Sequence, residues 1–399
     1  MNLRKESFAT RFNRREFLRA NGRMLAGGLL ASALPAEWLS AQVRDVVLPG
    51  KERMIVRSLR YLDLETPAHL LDSWITPVEL FYVRNHLAQP SVNLEAWRLE
   101  VTGEVERPLE LTLAELEKVE PRTVTNTLEC AGNGRAFFRP RIPGIQWARG
   151  AVGTATFSGP RLGEILKRAG LKATAKHVVF DGLDEPPGEV PDFRRSIPIE
   201  KAMDPGTLIA TRMNGAALTS EHGFPARALV PGWLGAASVK WLVEIRVLDK
   251  EFDGFFMKTG YRFPRRPVAP GGSVSPEETE VITSLVVKSI ITRPGDGSRH
   301  SRGPVRIAGV AWGGEKEIAR VEVSTDGGRT WQSAELGRDR AKYAWQLWEF
   351  RWAPPEPGRY TLLSRATDSA GQTQPASPRW NPSGYLWNAY DQVRIDVEA

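Results

Sequence analysis

The sequence of 399 residues contains a single cysteine, Cys130, and this scarcity excludes several classes of protein. One thiol cannot form an intrachain disulfide, so packing must stabilise the fold. A structural zinc site or an iron–sulfur cluster needs several thiolates or a cysteine–histidine spacing motif, and the sequence has neither. The chain also lacks a Cys-x-x-Cys-His motif, so it attaches no c-type haem itself.

Long apolar runs are lacking as well. The most apolar stretch, residues 24–34, is too short and too rich in glycine to span a membrane, so we expect no stable membrane insertion. It follows a basic segment that contains "RREFL" at residues 14–18 and precedes small residues at positions 40 and 41. This layout is typical of a twin-arginine export signal. We therefore predict that residues 1–41 are a twin-arginine signal peptide and that the protein is exported folded to the periplasm.

The positive charge of the chain is unevenly distributed. The formal net charge is +7, but seven of the 54 lysines and arginines lie in residues 1–41, opposite three glutamates. The basic isoelectric point therefore reflects the leader in part and predicts no nucleic-acid binding.

The secondary-structure pattern of the remaining sequence changes near residue 270. After an extended lead-in at 42–90, strand-like runs such as "WRLEVTGEV" mix with amphipathic helical runs such as "RLGEILKRAG" from residue 95 to 250. This mixture predicts an α+β domain. A linker rich in proline and glycine follows at 265–278. Residues 280–399 consist of alternating strands with hairpin signals, which predict an immunoglobulin-like β-sandwich without the cysteine pair of antibody domains.

The lone cysteine lies in "TLECAGNGR", residues 127–135, among small and polar residues. Its thiol has three interpretations: an inert buried group, a nucleophile or a metal ligand. A nucleophile would need a base, and none of the five histidines stands at a fixed spacing from it. A single thiolate suffices for a metal only when another ligand holds most of the coordination, as a pterin dithiolene does for the thiophilic metal molybdenum.

Three segments, in order, resemble the sulfite oxidase family of molybdopterin enzymes. They are "FYVRNH" at residues 81–86, "TLECAGNGR" at 127–135 and the long match at 213–242 that includes "HGFPAR" and "VKW". The resemblance is to the bacterial periplasmic sulfite and sulfane dehydrogenases in particular. It implies a molybdopterin-binding catalytic domain over 42–270 and a dimerisation domain over 280–399, which is the immunoglobulin-like sandwich.

The resemblance also implies the residues of the site. Cys130 would be the protein ligand of molybdenum, and Tyr261, Arg84 and Arg135 would act on the substrate side. Trp147 matches a tryptophan that lines the pocket. The positions that match the family's cofactor contacts are Tyr82, Val83, Arg84, Asn85, His86, Asp184, His222, Arg227, Ser238, Val239 and Lys240.

The function implied is oxidation of sulfite, or of a related small anionic sulfur substrate, by oxygen-atom transfer. Its electrons would pass to a separate cytochrome c subunit or carrier, and the protein would be a homodimer. The alternative is a periplasmic molybdenum reductase of methionine sulfoxide or another oxidised compound, although such reductases usually lack the second domain. One departure concerns the substrate: "WNPSGY" places Ser383 where the animal and plant enzymes have a further arginine.

Overall fold

The computed structural model describes residues 48–398, so the predicted signal peptide lies outside the described residues. From Gly50 onward the chain forms one compact unit. Strands predominate and helices are few and short, which confirms the α+β class with a small helical share.

Residues 48–261, called the first region below, contain thirteen strands and four α-helices. The helices are α1 (Leu113–Glu117), α2 (Leu162–Ala169), α3 (Ile199–Ala202) and α4 (Phe255–Lys258). The strands are β1 (Ile55–Ser58), β2 (Asp63–Glu65), β3 (Leu99–Gly103), β4 (Leu109–Leu111), β5 (Pro121–Glu129), β6 (Val152–Pro160), β7 (His177–Gly182), β8 (Arg195–Pro198), β9 (Leu208–Ala210), β10 (Arg212–Met213), β11 (Ala216–Ala217), β12 (Arg227–Leu229) and β13 (Leu242–Leu248).

Two larger sheets organise this region. One has the order β4-β3-β13-β7-β8, with β13 parallel to β3 and antiparallel to β7. The other has the order β11-β10-β6-β5. Helix α2, predicted from the periodicity of "RLGEILKRAG", buries Leu162, Ile165 and Leu166 and ends at Gly170, whose φ of 72° suits a glycine helix terminus.

The predicted linker at 265–278 connects two strands that pair with each other. Strand β14 (Arg262–Pro264) pairs antiparallel with β15 (Thr279–Val281), so this segment is the loop of a hairpin.

The C-terminal region is a sandwich of two sheets, as the alternating pattern predicts. Its strands are β16 (Lys288–Arg293), β17 (Ser298–His300), β18 (Val305–Trp312), β19 (Ile318–Ser324), β20 (Gln332–Ser333), β21 (Glu335–Leu336), β22 (Gln346–Trp352), β23 (Gly358–Asp368) and β24 (Asp391–Val397). The sheet orders are β16-β18-β22-β21 and β17-β24-β23-β19-β20. Alternate residues of both sheets, such as Ile307 and Val393, meet in one apolar core.

The largest apolar core crosses the boundary between the two predicted domains. It contains Val101 and Ile245 of the mixed sheet together with Val310, Trp312 and Trp345 of the sandwich region. None of the helices within residues 48–398 is long and apolar enough to cross a membrane.

Candidate functional site

Cys130 lies in the wall of a cleft and follows directly after the last residue of β5. Its backbone N–H donates to Ala151 O at 2.9 Å, and its carbonyl accepts from Asn133 N at 2.9 Å, which fixes a tight turn. The residue is 9% exposed, and its thiol takes part in no disulfide. Burial raises the pKa of the Cys130 thiol, while the Arg84 and Arg135 guanidiniums act in the opposite direction.

The segment "YVRNH" forms a second wall. Val83 pairs with Leu64 of β2 through two backbone hydrogen bonds of 2.9 and 3.0 Å. Since side chains alternate along extended chain, Val83 points into the core, whereas Tyr82 and Arg84 line the cleft. Arg84 is paired with Asp63 at 3.2 Å.

The loop between β12 and β13 supplies the third wall. Arg227, on β12, donates to His222 O at 3.0 Å and to Ser238 O at 2.9 Å. Lys240 donates to Glu221 O at 2.9 Å and to Asn85 Oδ1. The cleft is also lined by Ser238, Val239 and Asp184. The segment around residue 184 therefore meets the segment 221–240 at this cleft.

Burial shifts the titration of the polar groups around the cleft. It lowers the pKa of Arg227 to about 10 and that of Lys240 well below its ordinary value. Burial also lowers the pKa values of His86 and His222 well below the usual range, so both imidazoles are neutral at pH 7. The pKa of Asp184 rises to about 7 for the same reason.

Tyr261 connects the cleft to the C-terminal region through Tyr385. Its hydroxyl lies 2.6 Å from His86 Nε2, and its ring stacks on Tyr385 with a centroid distance of 5.3 Å. Burial raises the pKa of the Tyr261 phenol, although Arg84 and Arg195 oppose the rise. The stacked pair brings the "WNPSGY" segment to the edge of the site.

Two of the residues predicted from the sequence lie behind the cleft. The Arg135 guanidinium donates to Ser383 O at 3.1 Å and to Ile145 O at 3.0 Å, and its Cζ lies 5.4 Å from the Tyr385 ring. Trp147 is fully buried in the apolar cluster that also contains Cys130. Two guanidinium nitrogens of Arg135, Nε and Nη1, thus donate to main-chain carbonyls, and its charge acts on the Cys130 thiol from behind the cleft.

The structure adds residues that the sequence motifs did not indicate. Lys51 lies 3.3 Å from His222 Nε2, and burial lowers its pKa to about 8. Phe193 stacks on the His86 ring at 3.8 Å. The Arg195 guanidinium Cζ lies 5.0 Å from the centroid of the Tyr261 ring. These residues stand outside the three matched motifs, and single basic or aromatic residues carry no signal in one sequence.

The donor set of the cleft fits a pterin cofactor with a phosphate group. Arg227 and Lys240 direct their hydrogen bonds to uncharged oxygens, and Arg227 Nε has no partner within residues 48–398. An anion would supply the counter-charge that these buried cations lack. Across that same part of the chain no group of three or more His, Cys, Asp or Glu side chains is arranged to hold a metal ion. Cys130 would thus serve as one ligand of a metal held mainly by the pterin.

Comparison with known proteins agrees with this geometry. Residues 86–256 match the oxidoreductase molybdopterin binding domain, and residues 279–398 match the Mo-co oxidoreductase dimerisation domain. The chain is 39% identical over 360 residues to sulfite oxidase from Gallus gallus, covering 86% of this chain and 78% of that protein. It is 38% identical over 358 residues to mitochondrial sulfite oxidase from Rattus norvegicus, covering 86% of this chain. The chain spans 65% of the length of that rat enzyme.

A solved structure matches as well. The sulfane dehydrogenase SoxCD from Paracoccus pantotrophus superposes with a TM-score of 0.75 at 29% identity, covering 92% of this chain and 93% of that chain. Together with the two domain matches and the identity to the animal enzymes, this places the chain in a family. The protein belongs to the sulfite oxidase family of molybdopterin oxidoreductases, and its cofactor is molybdopterin-bound molybdenum.

Proposed function

We propose that the protein oxidises sulfite, or a related reduced sulfur anion, by oxygen-atom transfer. For sulfite, the balanced reaction takes sulfite and water to sulfate, two protons and two electrons. The bound molybdenum cofactor supplies the two-electron redox centre and the site of oxygen transfer.

One observation carries this proposal: the only thiol of the chain lies in a cleft whose walls hold basic side chains that are buried or partly buried. Arg84, Arg227 and Lys240 line the cleft with Cys130, and Arg135 lies close behind it. A small anion is attracted to such a site because few water molecules remain to screen the charges.

The side chains divide the work between cofactor and substrate. Arg227 and Lys240 would bind the cofactor phosphate, and Cys130 would ligate the metal. Arg84 would hold the anion beside the thiol. The Tyr261 hydroxyl, fixed at 2.6 Å from the neutral His86 imidazole, would donate a hydrogen bond to a substrate oxygen.

The electrons need an acceptor outside the chain, since the sequence contains no haem-attachment motif. A separate cytochrome c subunit or carrier would take them one at a time. The match of residues 279–398 to a dimerisation domain supports a homodimer. The twin-arginine segment at 14–18 supports export, so we propose that the reaction takes place in the periplasm.

A sulfane sulfur substrate is the second candidate, and one structural likeness favours it. The chain resembles SoxCD, described as a sulfane dehydrogenase, over 92% of its length. Ser383 stands where the animal and plant enzymes have a further arginine, which lowers the attraction for a small dianion such as sulfite. The reductase alternative is disfavoured because residues 279–398 match the dimerisation domain.

A steady-state assay tests the proposal. The purified, molybdenum-loaded chain is given sulfite or thiosulfate with a monohaem cytochrome c, in the presence and absence of a candidate haem subunit. Reduction of the cytochrome by sulfite supports the first candidate, whereas activity only with the haem subunit and a sulfane substrate supports the second. No oxidation of either substrate, combined with reduction of methionine sulfoxide, would replace both with the reductase.

Cys130→Ser is the sharpest test of the metal ligand. We expect turnover to fall by at least about a hundredfold, roughly 3 kcal/mol of activation free energy, because an alcohol is a poor ligand for a thiophilic metal. Metal analysis must show equal molybdenum in the variant and the parent protein. Near-normal turnover at equal loading would show that this sulfur is not a ligand.

A further inference from the structure

The turn at residues 130–133, called the cysteine turn below, follows Glu129, and the Glu129 carboxylate contacts a side chain of the C-terminal sandwich. Glu129, the residue before Cys130, is 4% exposed and forms an ion pair with Lys288, which is 2% exposed, at 2.9 Å. Lys288 is the first residue of β16 and pairs in register with Trp312, the last residue of β18. The Trp312 indole N–H donates to the second oxygen of the same carboxylate at 2.9 Å.

The same carboxylate is tied to the turn itself. Asn133 Nδ2 donates to Glu129 Oε1 at 2.9 Å, and Lys288 Nζ donates to Asn133 O at 3.3 Å. Asn133 Oδ1 accepts from Ala151 N at 3.1 Å, and Ala151 O accepts from Cys130 N. The Lys288–Glu129 pair is therefore connected to Cys130 through Asn133 and Ala151.

We propose that Lys288 and Trp312, two residues of the sandwich, are positioning residues for the Cys130 thiol. The second domain then has a role in the metal site besides the dimerisation indicated by its family. The proposal rests on the proposed role of Cys130 as the molybdenum ligand. Its physical basis is that a fully hydrogen-bonded buried ion pair holds one geometry, and that loss of either partner leaves a buried charge unpaired.

The uniqueness of Cys130 gives a direct readout. In cofactor-free protein, the rate at which a soluble disulfide reagent labels the thiol measures how often the turn opens, and no other cysteine contributes. We expect Lys288→Met to label about tenfold faster than the parent chain. Trp312→Phe, which removes the indole N–H donor and part of the ring but leaves the Lys288–Glu129 ion pair, should give a smaller increase and covers the case in which Lys288→Met does not fold.

Arg293→Met is the matched control. Arg293 ends the same strand and pairs with Asp72 of the first region at 2.8 Å, away from the cysteine turn. It should leave the labelling rate unchanged. In molybdenum-loaded enzyme, Lys288→Met and Trp312→Phe should change the g values of the Mo(V) electron paramagnetic resonance spectrum, whereas Arg293→Met should not.

The outcomes separate this proposal from the proposed function. Labelling rates and spectra of Trp312→Phe and Lys288→Met that equal those of Arg293→Met would overturn the positioning role. In the parent chain, equally fast labelling with and without cofactor would instead show that Cys130 is not a ligand. Faster labelling in the variants, with protection by cofactor in the parent, supports both.

Discussion

Two basic side chains beside the cleft, Arg227 and Arg195, are buried without an acidic partner among residues 48–398. Arg227 and Lys240 donate to main-chain and amide oxygens, and Arg195 is 2% exposed with its carbonyl acceptors on Phe256 and Ile282. A buried cation without a counter-ion costs stability in the empty protein. The same charge is then available to bind an anion. These residues therefore lower the stability of the empty protein and favour binding of the anion.

Arg195 is the residue of this kind that we expect to tune the substrate. Burial lowers its pKa to about 10, so it remains charged at pH 7, about 5.0 Å from the Tyr261 ring. We predict that Arg195→Met raises the KM for sulfite about tenfold with a smaller change in kcat, because a nearby buried charge adds attraction for the anion. Steady-state kinetics at two ionic strengths provide the measurement.

Two variants control this prediction. Arg195→Lys keeps the charge and should retain most of the affinity. Arg194→Met removes the adjacent arginine, which is already paired with Asp181 and Asp192 and therefore adds little net field. An unchanged KM in Arg195→Met, or an equal rise in Arg194→Met, would mean that Arg195 has only a structural role.

The sequence predicted the matched motif residues but not these supporting ones. Their motifs can be recognised as units, and the structure brings the motif residues together at one cleft. These residues include Tyr82, Arg84, Cys130, His222 and Lys240. Lys51, Arg195 and the Lys288–Glu129 pair could not be predicted. The contacts that bury these charged residues join segments that are 61 to 171 residues apart in the sequence.

At the level of elements, the close approach of neighbouring strands restricts which residue type a position can hold, and hydrophobic periodicity does not show this restriction. Gly309 lies in the middle of β18, where an added Cβ would come within 2.0 Å of Ile290 O and 2.5 Å of the Trp348 ring. The neighbouring strands therefore approach over a position that has no side chain. The alternating pattern of "VRIAGVAW" predicted the strand, but it could not show which of its residues must be glycine.

Gly309→Ala tests this packing. We predict a loss of about 3 kcal/mol in the free energy of unfolding, because the backbone of β16 must move to admit the methyl group. Gly295→Ala is the control, since no atom lies within 4 Å of its added Cβ and its φ is not in the left-handed region. That variant should be neutral or slightly stabilising, since it reduces the entropy of the unfolded chain. Urea unfolding of both variants gives the comparison, and equal stabilities would contradict it.

Element identity was predictable where the pattern was regular. The strand β3 and the helix α2 lie within the runs quoted from the sequence, and residues 280–399, predicted as alternating strands, form the sandwich. The pairing of β14 with β15 was not predicted, because two strands of three residues each, one of them ending in proline, are too short to show a pattern.

At the scale of the whole molecule, composition predicted two domains, whereas packing joins them. Val310, Trp312 and Trp345 belong to the same apolar core as Val101 and Ile245 of the first region. Trp74 and Trp345 exchange indole N–H donors with each other's carbonyls at 3.2 and 2.8 Å. The change in residue pattern near residue 270 therefore coincides with a change in architecture, but the apolar core continues across it.

This shared core predicts that the two regions unfold together. Separation would expose the apolar surface of Trp312 and Trp345 and leave the carboxylate of Glu129 without its partner Lys288, so the first region alone lacks the contacts it needs. We expect a single calorimetric transition for the molybdenum-loaded chain, with equal calorimetric and van't Hoff enthalpies. A chain ending at residue 270 should be insoluble or should lack cooperative unfolding. Two resolved transitions, or a soluble and cooperatively folded fragment of residues 50–270, would show that the regions are independent and that the core contact contributes little.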